Sequence, residues 1–335
     1  MNNTFLSHIS LLRVIAMVTV VLHHALCFYG AWFPYDGSQS YLHFTMALKD
    51  VNMPMFVFLA GFIYAYLRLT HGKYNDTDDF IVGKIKRLLL PYLLWSIVLL
   101  TPLNLAMVGA RTIFYGIWQM WFLLMLFLEF LFFHFTFLFW AKTSLAADCC
   151  IFAVLSVISS FIMPRLSDYY GIDLSLLCFD KFIHYMPFFF LGAAVSKHKS
   201  KLSVPLIAAV IVTVAASAAI VAVNFFFLDI KGSGECIFIF VCAVLISSFA
   251  ATEKLCGRFP AIASSKVIAD LDKSAMGIYI LHHILILDFV SLPIGAEFMN
   301  EHVILAPVAV FAVSLLLSWA MTHAILRTRL RFVFG

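Results

Sequence analysis

Between Ile9 and Tyr29 the chain runs through one long apolar stretch in which only Arg13, His23 and His24 carry basic side chains. Its length matches the roughly 20 residues that an α-helix needs to cross the hydrocarbon of a bilayer. Inside that hydrocarbon the backbone must satisfy its own hydrogen bonds, which leaves helices and closed barrels as the only spanning structures. The alternating ten-residue pattern of a barrel strand is absent. The stretch therefore reads as a membrane-crossing helix, and comparable stretches recur along the chain.

Ten spans fit the hydropathy, at about 9–29, 51–69, 88–107, 118–140, 148–163, 182–196, 204–228, 236–251, 274–292 and 303–326. The chain is 63% hydrophobic and 12% charged, about half the charged share of an ordinary soluble domain. Its mean hydropathy is +1.00. The expectation is an all-α integral membrane protein of about ten transmembrane helices in a single bundle. The longest loops, near 68–87, 164–181 and 252–273, are too short to hold a soluble domain, so residues 1–335 read as one membrane-embedded domain. With a cytoplasmic N-terminus, 17 of the 22 lysines and arginines fall on the cytoplasmic side, which places both termini there. The first span ends in Phe28-Tyr29 rather than a small-residue cleavage site, so it reads as a retained helix. The net charge of +4 reports this topology and gives no reason to expect nucleic acid as a partner. Seven cysteines lie in or beside apolar runs without the spacing of a metal site, and no metal is expected.

Ionisable groups within spans are costly and mark function by default. Arg13 and His24 are eleven residues apart, roughly three helical turns plus 20°, so they share a helix face about 16 Å apart. His23 lies about 80° off that face. A neutral imidazole at the position of His24 is suited to take a proton from an alcohol or to carry an acyl group itself. Arg13 reads as a headgroup anchor or as a ligand for phosphate or carboxylate. Lys84 and Arg87, three residues apart before the third span, project from neighbouring positions on one helix face and can hold an anion. Glu129 in the fourth span needs a partner, and a histidine is the obvious one, which makes it a further catalytic candidate. The first and ninth spans share an echo, Leu22-His23-His24 and Leu281-His282-His283. Both run outward, so the two His pairs can meet within the bilayer. The histidines and span count also fit a small-metabolite or proton-coupled transporter, although no repeat of whole halves supports it.

The chain resembles the membrane acyltransferase-3 family over nearly its whole length. The family's first helix carries an Arg, ten intervening residues and a His, as Arg13 and His24 do. Its second span is matched by Pro54-Met55-Phe56-Val57-Phe58-Leu59-Ala60-Gly61-Phe62, and its basic segment by Lys84-Ile85-Lys86-Arg87 before Pro91. Further matches are Trp121-Phe122-Leu123, Phe188-Phe189-Phe190-Leu191-Gly192, and Ser274 with Tyr279 and His282. Ala60 stands where the family often has Ser, Lys84 where it often has Arg, and Met120 where a His is common. The resemblance implies a multi-pass enzyme of the bacterial inner (cytoplasmic) membrane that moves an acyl group from acyl-CoA to a hydroxyl of a cell-envelope or exported glycan. The acyl group is expected to be acetyl, and the acceptor a glycan or a lipid-linked glycan. It further implies His24 as base or acyl relay, Arg13, Lys84 and Arg87 as ligands of the coenzyme phosphates, and Tyr279 and His282 as pocket residues. Acyl-CoA enters as a co-substrate, with no permanently bound cofactor.

Overall fold

A computed structural model describes residues 3–32, 38–99, 112–201, 203–227, 230 and 232–335. Thirteen helices of eight or more residues order them. They are α1 (Asn3–Trp32), α2 (Ser38–His71), α3 (Thr77–Lys84), α4 (Leu90–Leu99), α5 (Trp121–Phe135), α6 (Leu145–Val157), α7 (Met163–Tyr170), α8 (Phe179–His198), α9 (Leu206–Phe226), α10 (Ser233–Arg258), α11 (Lys266–Ser291), α12 (Pro293–Glu301) and α13 (Leu305–Leu326). No strand occurs among the described residues. Nine helical segments among them are long and apolar enough to cross a membrane. The third expected span, 88–107, continues from α4 into residues that lie outside the described ones.

The helices group into two compact units. The first takes Met1–Phe56 and Ser203–Arg327, and the second takes Val57–Leu202 and Thr328–Gly335. In the first unit α1 packs against α10, α11 and α13, while α9 packs on α10. Met17, Val21, Ala275 and Ile278 form the buried seam between α1 and α11. On α11, Gly277 faces Thr322 of α13 so closely that a methyl group there would overlap the threonine side chain. The outward faces carry exposed Ile207 and Val214 on α9 and Leu305 and Val308 on α13. Such side chains suit a helix whose solvent is lipid.

The second unit has an aromatic core. Phe133 of α5 stacks on Phe189 of α8 with ring centroids 4.7 Å apart, and Tyr64, Phe130, Phe190 and Trp140 surround them. Two glycines allow α2 and α8 to approach. A Cβ on Gly61 would sit 2.0 Å from the Phe189 carbonyl oxygen, and one on Gly192 would sit 1.9 Å from that of Phe58. Small residues at both sides of a crossing are the usual way for helices in lipid to bring their backbones together. The same two glycines belong to the Pro54–Phe62 and Phe188–Gly192 motifs, which thus have a packing reason. The C-terminal turn, Arg329–Phe334, rests on α4, where Trp95 Nε1 donates to the Val333 carbonyl at 2.9 Å and its ring stacks on Phe334.

Candidate active site

Polar contacts join α1 to α11 within the first unit. Arg13 pairs with Asp272 at 3.0 Å, and the Ser10 hydroxyl donates to the other carboxylate oxygen at 2.8 Å. Further along both helices, His24 Nδ1 lies 3.0 Å from His282 Nε2. The partners rise together along the two chains, so the helices run parallel. The spacings, eleven residues on α1 and ten on α11, correspond to about 16 Å and about 15 Å of helical rise. The ion pair therefore sets the register that brings His24 to His282.

Around this contact His283 lies 4.8 Å from His24, ring centre to ring centre, and His23 lies 4.9 Å away. The echoed His pairs do meet. His23 turns its Nδ1 to the Thr45 carbonyl of α2 at 3.0 Å. Tyr279, buried one turn before His282, has its ring 6.2 Å from that imidazole. His24, Tyr279 and His282 are thus brought together on two neighbouring helices, with Arg13 about 16 Å away along α1. Asp272 was not legible as Arg13's partner, although it stands ten residues before His282, nearly the spacing from Arg13 to His24. A second carboxylate on α11, Asp270, accepts from Trp319 Nε1 of α13 at 2.8 Å, so the foot of α11 is held on two sides.

Glu129 and the Lys84–Arg87 pair belong to the second unit. Glu129 on α5 is 0% exposed, and neither carboxyl oxygen has a hydrogen-bond partner among the described residues. Lys84 ends α3 with its Nζ 3.2 Å from the centre of the Phe130 ring and near Tyr74 and Phe80. Burial lowers its ammonium to about 7, helped by the nearby charges of Arg87 and Lys73. The segment Ile85–Leu89 is a π-helix. Lys84 lies against the rings while Arg87 is exposed. Arg87 is still close enough for its charge to act on Lys84.

Sequence reasoning missed two other clusters of this unit. Arg68 Nη1 donates to Tyr64 Oη at 2.5 Å and to His134 Nδ1 at 2.6 Å, and its guanidinium lies 3.8 Å from the centre of the Phe137 ring. Since that nitrogen of His134 accepts, Nε2 carries the proton and donates to Thr77 Oγ1 at 3.2 Å. Asp148 accepts from Lys197 Nζ at 2.6 Å, from His198 Nε2 at 2.7 Å and from Thr143 Oγ1. His134 was visible as an ionisable group within the fourth span, and charges beside apolar runs were the only other sequence signal. A cavity of about 450 Å³ in the first unit, lined by Ile286, Phe289, Phe298, Val310 and others, has no ionisable lining and suits hydrocarbon.

A family model described as an acyltransferase domain matches residues 6–323. With the spanning helices, this makes the chain a multi-pass membrane acyltransferase. It belongs to the acyltransferase-3 family. That membership sets an enzyme in place of the transporter reading. Comparison with curated proteins found no match, and comparison with solved structures found none either.

Proposed function

We propose that this acyltransferase moves an acetyl group from acetyl-CoA to a hydroxyl of a cell-envelope or exported glycan, in the bacterial cytoplasmic membrane. The whole chain, residues 1–335, acts as one membrane-embedded domain with both termini in the cytoplasm. The observation that carries the reading is the His24–His282 contact, fixed in register by Arg13 and Asp272. It supplies a base aligned by a neighbouring ring.

In the proposed reaction the acceptor hydroxyl gives its proton to His24 as its oxygen attacks the thioester carbonyl carbon. The new C–O bond forms, the C–S bond breaks, and the departing thiolate takes the proton back from the His24 imidazolium. No net proton is gained or lost. Lys84 and Arg87 are assigned to the coenzyme's phosphates, which two close cations recognise by charge. Arg13 spends one nitrogen on Asp272, yet its side chain is 33% exposed and a guanidinium has five donors. It can therefore take an anionic group as well. Tyr279 lines the pocket beside His282. Glu129, buried without a hydrogen-bond partner among the described residues, remains a candidate for polar contact with substrate.

The test is transfer of labelled acetyl from acetyl-CoA into membrane glycolipid or polysaccharide, comparing wild type with His24→Ala at matched expression. Label with wild type alone supports the reading. Label with both proteins keeps the enzyme and removes His24 from its mechanism. Label with neither removes acetyl transfer to these acceptors.

A further inference from the structure

We infer that His282 is a positioning residue that fixes which nitrogen of His24 takes the substrate proton. The inference rests on His24 being the base of the proposed transfer. It begins with two backbone carbonyls. His282 Nδ1 lies 2.7 Å from the Ile278 carbonyl oxygen, and His24 Nδ1 lies 3.1 Å from that of Val20. Each is the carbonyl four residues back on the same helix. A carbonyl oxygen only accepts, so the facing nitrogen must carry a proton.

A neutral imidazole has one N–H, and the other nitrogen holds a lone pair. With its proton on Nδ1, His282 offers Nε2 as an acceptor. That atom is 3.0 Å from His24 Nδ1, the same nitrogen that Val20 requires to be protonated. The two carbonyls thus independently assign the same direction to the bond between the rings. His24 Nδ1–H is shared by Val20 and His282, and its lone pair is on Nε2. The reverse assignment would set lone pair against lone pair at Val20 and would require His282 to be doubly protonated.

The consequence for the reaction is specific. His24 Nε2 receives the hydroxyl proton, and the resulting imidazolium donates its Nδ1–H to His282 Nε2. Hydrogen bonds to a charged group are stronger than those to a neutral one, so this contact tightens as the charge forms. A neutral imidazole, itself anchored by Ile278, takes the orienting place that a carboxylate fills in the familiar Ser-His-Asp arrangement.

Two readouts test it. Histidine-selective ¹⁵N NMR on the full chain in lipid, assigned with His24→Asn and His282→Gln, should show both rings protonated at Nδ1 and bare at Nε2. A His24 ring protonated at Nε2 alone would overturn the proposal. In labelled-acetyl kinetics with acetyl-CoA, His282→Leu should lower kcat by about 10- to 100-fold with the KM for acetyl-CoA unchanged. His282→Gln, whose side-chain oxygen can still accept, should recover most of that loss. Undiminished kcat in His282→Leu alongside an inactive His24→Ala would sink the role of His282 alone. Undiminished activity in His24→Ala would instead sink the base assignment beneath it. If His282→Leu does not fold, the wild-type spectrum decides by itself.

Discussion

One polar cluster in each unit shows two opposite ways of burying such groups. In the second unit the Asp148 cluster is closed, because its carboxylate is met by an ammonium, an imidazole and a hydroxyl. Arg68 spends Nη1 on Tyr64 and His134, whose far nitrogen goes to Thr77, while its Nε has no hydrogen-bond partner among the described residues. In the first unit the carboxylate that pairs with Arg13 stands about 15 Å along the helix from the histidines, and His24 is partnered by another imidazole. A closed charge cluster ties helices together and has nothing left to offer a substrate. In the proposed reaction, a pair of imidazoles whose outer nitrogen keeps its lone pair acts as the base. Burial and polarity alone do not distinguish structural from chemical groups, whereas the donor and acceptor balance of each cluster does.

The sharpest way to break this contrast is to remove one residue from each side. His24→Ala should lower acetyl transfer by about 10²- to 10⁴-fold and leave the unfolding temperature near wild type. Asp148→Ala should do the reverse, costing about 3–5 kcal/mol of stability because the Lys197 ammonium loses its counter-charge and His198 its hydrogen-bond partner. Its folded fraction, assayed in detergent after denaturant titration, should keep wild-type turnover. A variant of Asp148 that folds normally but turns over slowly would erase the distinction.

A smaller effect is expected at Lys84, which is neither closed nor catalytic. Its ammonium, lowered to about 7, loses charge as the pH rises through that value, so its grip on phosphate should weaken on the alkaline side. The KM for acetyl-CoA should rise about tenfold between pH 6 and pH 8. Lys84→Arg, with a guanidinium that stays charged, should flatten that profile. A pH-independent KM in the native enzyme would remove Lys84 from donor binding. The smallest effect is structural. Trp95→Phe deletes one hydrogen bond to Val333 and keeps the ring, so it should cost about 0.5–1.5 kcal/mol of stability without changing turnover.

Most of the architecture was legible because lipid imposes a simple rule, long apolar runs with basic flanks, and α1, α9 and α13 obey it plainly. The meeting of the His pairs was legible because both echoes sit at similar depth in helices of the same direction. The Arg13–Asp272 pair was not, since nothing local in either segment names a partner so distant in the chain. Nor was the turn at Ile85–Leu89, because an i→i+5 hydrogen bond leaves no mark on composition. Asp148, Lys197 and His198 were visible as charges at span ends, but the sequence cannot say that they converge on one carboxylate.

The crossing of α2 and α8 has a mechanical consequence. With no room for even a methyl group at Gly61 or Gly192, the two backbones bear directly on each other, without the compliant side chains that let helices slide. Any motion of the second unit during turnover must carry both helices as one lever.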